Sequence, residues 1–209
     1  MAFTPLMIDL SDRHVVIVGG GKVALRRAKT LLENNAVVTV ISPKAVEAIV
    51  YLWQEGQLLW KEKVIEATDL KDAFLIIVAT NNPIVNQHVI NWAPKESLIN
   101  AAAEVEKGNV AFPTYFRRGH LSVSVSTNGA SPQFAVKMKE ELERLYPEDY
   151  GDYIHFLSEC RQLIKKSLLD KFQQKLLLKE LLSEEYLDKD RQRRFIEWFK
   201  KNDRKSESD

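Results

Sequence analysis

Four consecutive β-favouring residues, Val15-Val16-Ile17-Val18, run straight into Gly19-Gly20-Gly21, and a helical pattern starts at Lys22. No other stretch restricts the fold so much. A strand that ends in a glycine turn and passes at once into a helix presents that helix's first backbone N–H groups beyond the strand end, where an anion can receive them. The spacing is G-x-G-x-x-A: Gly19 suits the tight turn, Gly21 lets backbone approach a phosphate, and Ala24 lets helix and strand pack closely. Glycine triplets also occur in ordinary turns, so the flanking sequence must decide between the readings.

The flanks favour a dinucleotide site. Val23, Leu25, Ala28, Leu31 and Leu32 recur near helical spacing, Asn34-Asn35 supplies a stop, and Val37-Val38-Thr39-Val40-Ile41 has the near-continuous apolar character of a strand buried on both faces. Residues 15–41 therefore read as one βαβ unit. A helix over about 45–55 ends at Gly56, a short edge strand starts at Leu58, and strands over 73–79 and 98–102 flank a helix over 83–92. This alternation predicts an α/β protein built on a Rossmann-type parallel sheet. Its strand ends predict a cofactor crevice walled by Gly19, Gly20, Gly21, Lys22 and Val23, by Ser42, Pro43 and Lys44, by Thr80 and Asn81, and by Asn100.

Two of these segments have plainer readings. The usual pattern puts an acid near the end of the second strand to bond the ribose, and Ser42-Pro43-Lys44 stands there instead. Ser42 can bond a ribose hydroxyl and Lys44 can tolerate a 2′-phosphate; alternatively the segment is a loop with a solvated lysine. Thr80-Asn81-Asn82-Pro83 suits the crevice and equally suits a helix cap.

Composition narrows the class. The 209 residues can bury a core and imply one medium domain with an appendage. Thirty basic against twenty-nine acidic residues leave no global charge to draw nucleic acid or a membrane surface. Cys160 is the single cysteine, which excludes an internal disulfide and a cysteine-based metal cluster; it suits a reducing compartment and reads as a helix residue rather than a nucleophile. No run of eighteen apolar residues and no charged leader occurs, so a cytoplasmic location is expected and no membrane partner.

At the amino end, residues 3–10 suggest an extended segment lying against the sheet edge. From Phe112 the βα pattern gives way to short strands: residues 114–116, a turn of Arg117-Arg118-Gly119-His120, and residues 121–126, whose Leu121, Val123 and Val125 form one apolar face. Ser131-Pro132 opens a helix to about Leu145. Tyr146 to Gly151 marks a boundary, and helices over about 153–167, 169–182 and 183–201 complete a small helical domain. The expected division is 1–111, 112–146 and 147–209.

Taken together, Gly19-Gly20-Gly21-Lys22-Val23-Ala24 with Arg26, then Ala79-Thr80-Asn81, Asn100, Phe112-Pro113, and the block Ser124 to Pro132 resemble the precorrin-2 dehydrogenase family, which includes the N-terminal module of siroheme synthase and the dehydrogenase/ferrochelatases. The resemblance runs from about Phe3 to Tyr146. It implies oxidation of precorrin-2 to sirohydrochlorin with NAD, for siroheme or cobalamin, by a homodimer built through segment 112–146. It also implies that Thr127 matches an active-site serine of the family, so that Thr127, Asn128 and Ser131 would bind substrate. Arg117 and Arg118 could receive the substrate's carboxylates, or be solvated turn residues. Family members usually carry an aspartate three residues after the asparagine matched to Asn100, and this chain has Ala103 there. No catalytic residue is therefore assigned, and Glu104 is the weak substitute. The loss makes iron insertion less expected, no metal site is expected, and a non-catalytic nucleotide- or tetrapyrrole-binding protein is a further reading. The family also commonly has an acid where Asn81-Asn82 stands.

Overall fold

The structure is a computed structural model and describes residues 3–203. Contacts divide the chain at Phe112/Pro113 into two compact units.

In the first unit, five strands form one parallel sheet: β1 (His14–Val18), β2 (Val37–Ile41), β3 (Leu59–Lys61), β4 (Leu75–Val78) and β5 (Leu98–Ala101), in the order β3-β2-β1-β4-β5. The helices α1 (Lys22–Leu32), α2 (Glu47–Gln54) and α3 (Pro83–Trp92) cross between them. This is the Rossmann-type sheet expected from the alternation. Strand β1 is central, with Val16 opposite Thr39 of β2 and Ile76 of β4. Its side chains alternate between two cores. Val15 and Ile17 pack with Ala24, Ala28 and Leu31 of α1, whereas Val16 and Val18 pack with Ile76, Val78 and Val89 on the other face. Burial on both faces is why β1, β2 and β4 read as unbroken apolar runs. The ends of β1, β2 and β4 lie at one sheet edge, so the segments from Gly19, Ser42 and Ala79 meet there.

Residues 3–10 do not join the sheet. They form no strand, Leu6 and Met7 are mostly exposed, and Leu10 is the part that packs on the core.

The second unit holds the antiparallel pair β6 (Thr114–Arg118) and β7 (Leu121–Val125), followed by α4 (Pro132–Leu145), α5 (Asp149–Lys166), α6 (Lys171–Glu180) and α7 (Lys189–Asp203). The boundary expected at 146–151 is the shorter break 146–148 between α4 and α5, and α5 runs through Gly151. Close approach explains that glycine, because a Cβ there would lie 3.3 Å from the Arg118 carbonyl carbon. The last expected helix is broken into a 3-10 turn (Glu184–Leu187) and α7. Ser183 caps the first at the Glu185 N–H, and Asp188 accepts from the Arg191 N–H at 2.8 Å, restarting the chain as α7. Tyr153, Phe156, Cys160, Ile164, Leu181, Phe195 and Phe199 form the helical core, where the Tyr153 hydroxyl donates to the Leu181 carbonyl at 2.8 Å. Cys160 has no exposed surface, and burial pushes its thiol up to about 12, which suits packing and not nucleophilic attack.

Candidate functional site

At the strand edge lies a cleft of about 740 Å³. Its walls are residues 18–23, 41–44, 64–65, 79–82 and 85. Of the eleven residues expected to hold a dinucleotide, ten line it: Gly19, Gly20, Gly21, Lys22, Val23, Ser42, Pro43, Lys44, Thr80 and Asn81.

The glycines differ in what they do. Gly19 has φ +121°, and a Cβ on it would run into the Ala79 carbonyl, so the chain can turn there only as glycine. A Cβ on Gly20 would collide with the Lys44 carbonyl and stand 2.5 Å from Ser42 Oγ, so β1 and β2 ends approach through that missing side chain. Gly21 is different: a Cβ there would meet nothing within 4 Å. It is the N-cap of α1, without a side-chain cap and without an acid in the first turn. The leading N–H groups of an 11-residue helix thus face the cleft with the positive end of its dipole unanswered, which is the environment a pyrophosphate requires.

Ser42 is 6% exposed, and its buried Oγ has no protein partner. A hydroxyl in that state is costly unless a ligand or water completes it. Thr80 begins a tight turn: its hydroxyl accepts from the Asn82 N–H at 3.1 Å and lies 2.5 Å from Asn86 Oδ1, while Asn86 Nδ2 donates to the Thr80 carbonyl. Asn82 caps α3 at Ile84 and Val85. The crevice and cap readings of this segment are therefore compatible. Asn86, buried on α3, holds the turn from behind and carried no sequence signal beyond its helical position.

Asn100 does not line the cleft. It is 4% exposed and its Nδ2 donates to the Val110 carbonyl at 3.0 Å, which ties the returning loop to β5. Glu104 does not line the cleft either; its half-buried carboxylate lies 2.6 Å from Lys107 Nζ in a surface ion pair on the same turn. Ala103 beside it is exposed. Among the described residues lining the cleft there is no Asp, Glu, His, Cys or Tyr, and among the described residues no cluster of three or more His, Cys, Asp or Glu gathers for a metal.

Sequence reasoning missed Val64 and Ile65, an apolar wall set by the loop after β3. That loop is anchored by Asp69, whose side chain is 5% exposed and pairs with Lys61 at 3.2 Å and Lys63 at 2.9 Å. Burial pushes the Asp69 carboxyl up, but Lys63, the Glu66 N–H and Lys61 together outweigh it and hold it below 3.8. A carboxyl lowered on folding stabilises above its unfolded value and loses that contribution as pH falls through the folded value. Asp69→Asn is therefore expected to cost about 1–2 kcal/mol at pH 7. Thermal melts should show the gap between variant and parent closing below pH 3.8; a gap independent of pH would contradict the assignment.

The residues expected to bind substrate lie in the second unit. Arg117 and Arg118 are the last residues of β6 and not a turn, and strand alternation sends them to opposite faces. Arg118 is turned inward, 14% exposed, over the Phe116 ring and paired with Glu148 at 3.2 Å and Glu143 at 3.9 Å. Its Nε is buried without a hydrogen-bond partner. Arg117 is exposed and lies over Tyr115. Thr127 Oγ1 accepts from the Ser131 N–H, Ser131 caps α4 at Phe134, and Asn128 takes φ +51° between them, so the three share one loop. His120 stacks on His155 at 6.3 Å.

The parallel sheet, glycine turn and open helix terminus define a protein that binds a nicotinamide dinucleotide. Residues 6–114 match an NAD(P)-binding family, residues 118–145 the central part of sirohaem biosynthesis proteins, and residues 150–195 the SirC C-terminal domain. The chain is 39% identical to precorrin-2 dehydrogenase of Priestia megaterium, over 94% of this chain and 98% of that one. It is 38% identical to that of Bacillus subtilis, over 76% and 98%. The solved structure of SirC, precorrin-2 dehydrogenase, superposes with TM-score 0.84 at 38% identity, covering 95% of this chain and all of that one. Siroheme synthase of Actinobacillus pleuropneumoniae is 31% identical over 79% of this chain, which spans 34% of that longer protein. The chain belongs to the precorrin-2 dehydrogenase family.

Proposed function

We propose that this protein oxidises precorrin-2 to sirohydrochlorin with NAD, in siroheme (or cobalamin) biosynthesis, as a cytoplasmic homodimer. The observation that carries the reading is the uncapped α1 terminus behind Gly21, opening on a cleft of dinucleotide size in a chain that spans precorrin-2 dehydrogenases end to end. The α1 N–H groups and Lys22 would hold the pyrophosphate, Ser42 would bond a ribose, and Val64, Ile65 and Val23 would exclude water from the apolar parts. Thr80 and Asn81 bound the opposite end. Bound there, a nicotinamide supplies the hydride acceptor.

Among the described residues of the cleft wall Lys22 and Lys44 are the side chains that ionise and no carboxylate or imidazole is present, so the reading gives the rate to positioning and assigns no residue to the accompanying proton. Arg117, Arg118, Thr127, Asn128 and Ser131 receive substrate carboxylates. The half-buried face of Leu121, Val123 and Val125 on a two-stranded sheet supports the segment 112–146 as the dimerisation element, and light scattering tests it. Supplied with precorrin-2, the protein should raise sirohydrochlorin absorbance in the presence of the dinucleotide and not in its absence. No dependence on the dinucleotide would remove the reading.

A further inference from the structure

The charge of the whole chain is balanced, so attraction to a charged surface must arise from a local excess. One such excess lies around α6 in the second unit. Leu169, Leu177 and Leu178 turn to the helical core, whereas Leu168, Phe172 and Leu176 stand 70%, 70% and 52% exposed. Phe172 and Leu176 are one turn apart, so they form an apolar ridge along the outer side of the helix, and Leu168 leads into it. Lys171, Lys175 and Lys179 run along one flank of the ridge at the same spacing, and Lys165 and Lys166 end α5 just before it. All five lysines are exposed and none enters an ion pair among the described residues, whereas Lys189 and Lys200 of α7 each stand beside a carboxylate. Two acids are close. Asp170 is used as the α6 cap by the Phe172 and Gln173 N–H groups, and Glu180 borders the far end of the ridge. The stretch also lies beyond the dehydrogenase parts: the NAD(P)-binding and central matches are complete at residue 145, and 158 of these 209 residues already cover 98% of the Bacillus subtilis relative.

We propose that the outer face of α6 docks on an anionic bilayer surface, with Leu168, Phe172 and Leu176 entering the headgroup boundary and the five lysines meeting lipid phosphates. Among the described residues no helix is long and apolar enough to cross a membrane, so the contact is peripheral. Composition selects the occupant. Protein interfaces favour arginine and tyrosine and are depleted in lysine, whereas a headgroup layer lets lysine stems bury while their ammonium groups reach phosphate. Sedimentation of the full chain with vesicles tests this without turnover, so it succeeds or fails apart from the dehydrogenase reading. Vesicles of phosphatidylcholine with about one third phosphatidylglycerol should bind at least about tenfold more tightly than phosphatidylcholine alone, and about 0.5 M salt should abolish the difference. Lys175→Glu with Lys179→Glu should weaken that binding at least about tenfold, and Phe172→Ser at least about threefold. Lys29→Glu with Lys95→Glu, an equal charge change at exposed sites of the first unit, should leave it within about twofold. Equal binding to both vesicles, variants of α6 that shift nothing, or an equal loss in the first-unit control overturns the proposal. Capture by soluble poly-glutamate without vesicle binding also overturns it, and assigns the face to an acidic protein instead.

Discussion

Gly20→Ala should lower both the melting temperature and dinucleotide affinity, while Gly21→Ala should keep the melting temperature and lose affinity alone. The two glycines are adjacent and identical, and their surroundings are opposite. A Cβ at Gly20 collides with the Lys44 carbonyl, crowds Ser42 Oγ and lies 2.8 Å from Ala45 Cα, two backbone obstacles that cannot rotate away. Overpacking of that kind costs about 1–3 kcal/mol and moves the β2 loop, so affinity should fall on the order of tenfold to a hundredfold. At Gly21, φ −89° and ψ −169° suit alanine, and its Cβ projects into free space. In the proposed dinucleotide pose a phosphate takes that space against the α1 N–H groups, so the methyl group should weaken NAD binding by about tenfold without strain in the fold. Calorimetric melts and dinucleotide titrations read both quantities. Gly21→Ala with parental affinity would show that the pyrophosphate does not lie on this helix terminus.

Arg117→Ala and Arg118→Ala should part in the same manner. Arg118 covers Phe116 and joins β6 to Glu143 and Glu148, so its removal opens packing and ion pairs together and should cost about 1–3 kcal/mol. For a chain of this length that is a fall of several degrees in melting temperature, about 2–4 °C per kcal/mol. Arg117, on the exposed face, should change the melting temperature little and raise KM for precorrin-2 by about tenfold, the effect of one lost charge-assisted bond to a carboxylate. Unchanged KM in Arg117→Ala would remove it from substrate binding. Equal destabilisation by the two would contradict the placement on opposite faces.

These contrasts mark where sequence was readable. The strands buried on both faces, the glycine turn and the Ser131-Pro132 helix start announce themselves through local composition, so the Rossmann-type sheet and most of the cleft wall follow from residues near in sequence. What sequence hides depends on partners far away. Asn100 carries a strand-end signal for the cofactor, yet its Nδ2 donates to the Val110 carbonyl after a loop and its buried Oδ1 has no protein partner. Arg118 reads as a turn residue until pairing with Leu121 extends β6 and alternation turns it inward. Gly151 looks like a boundary because glycine usually is one, whereas close approach of Arg118 explains it inside α5. Val64, Ile65 and Asn86 lacked any pattern, since their roles come from the Asp69 anchor and the Thr80 turn. Glu104 is eligible as a base by type alone, and its surface pair with Lys107 is a contact its own turn supplies.

With no carboxylate or imidazole among the described residues of the cleft wall, the account rests on hydride transfer to a dinucleotide held by the Gly19–Gly21 loop. Its most direct test is stoichiometry under anaerobic conditions, in which NADH and sirohydrochlorin are followed together from precorrin-2 and NAD⁺. The account predicts one NADH for each sirohydrochlorin formed. Sirohydrochlorin appearing without NADH, or no product from a protein shown to bind the dinucleotide, would contradict it.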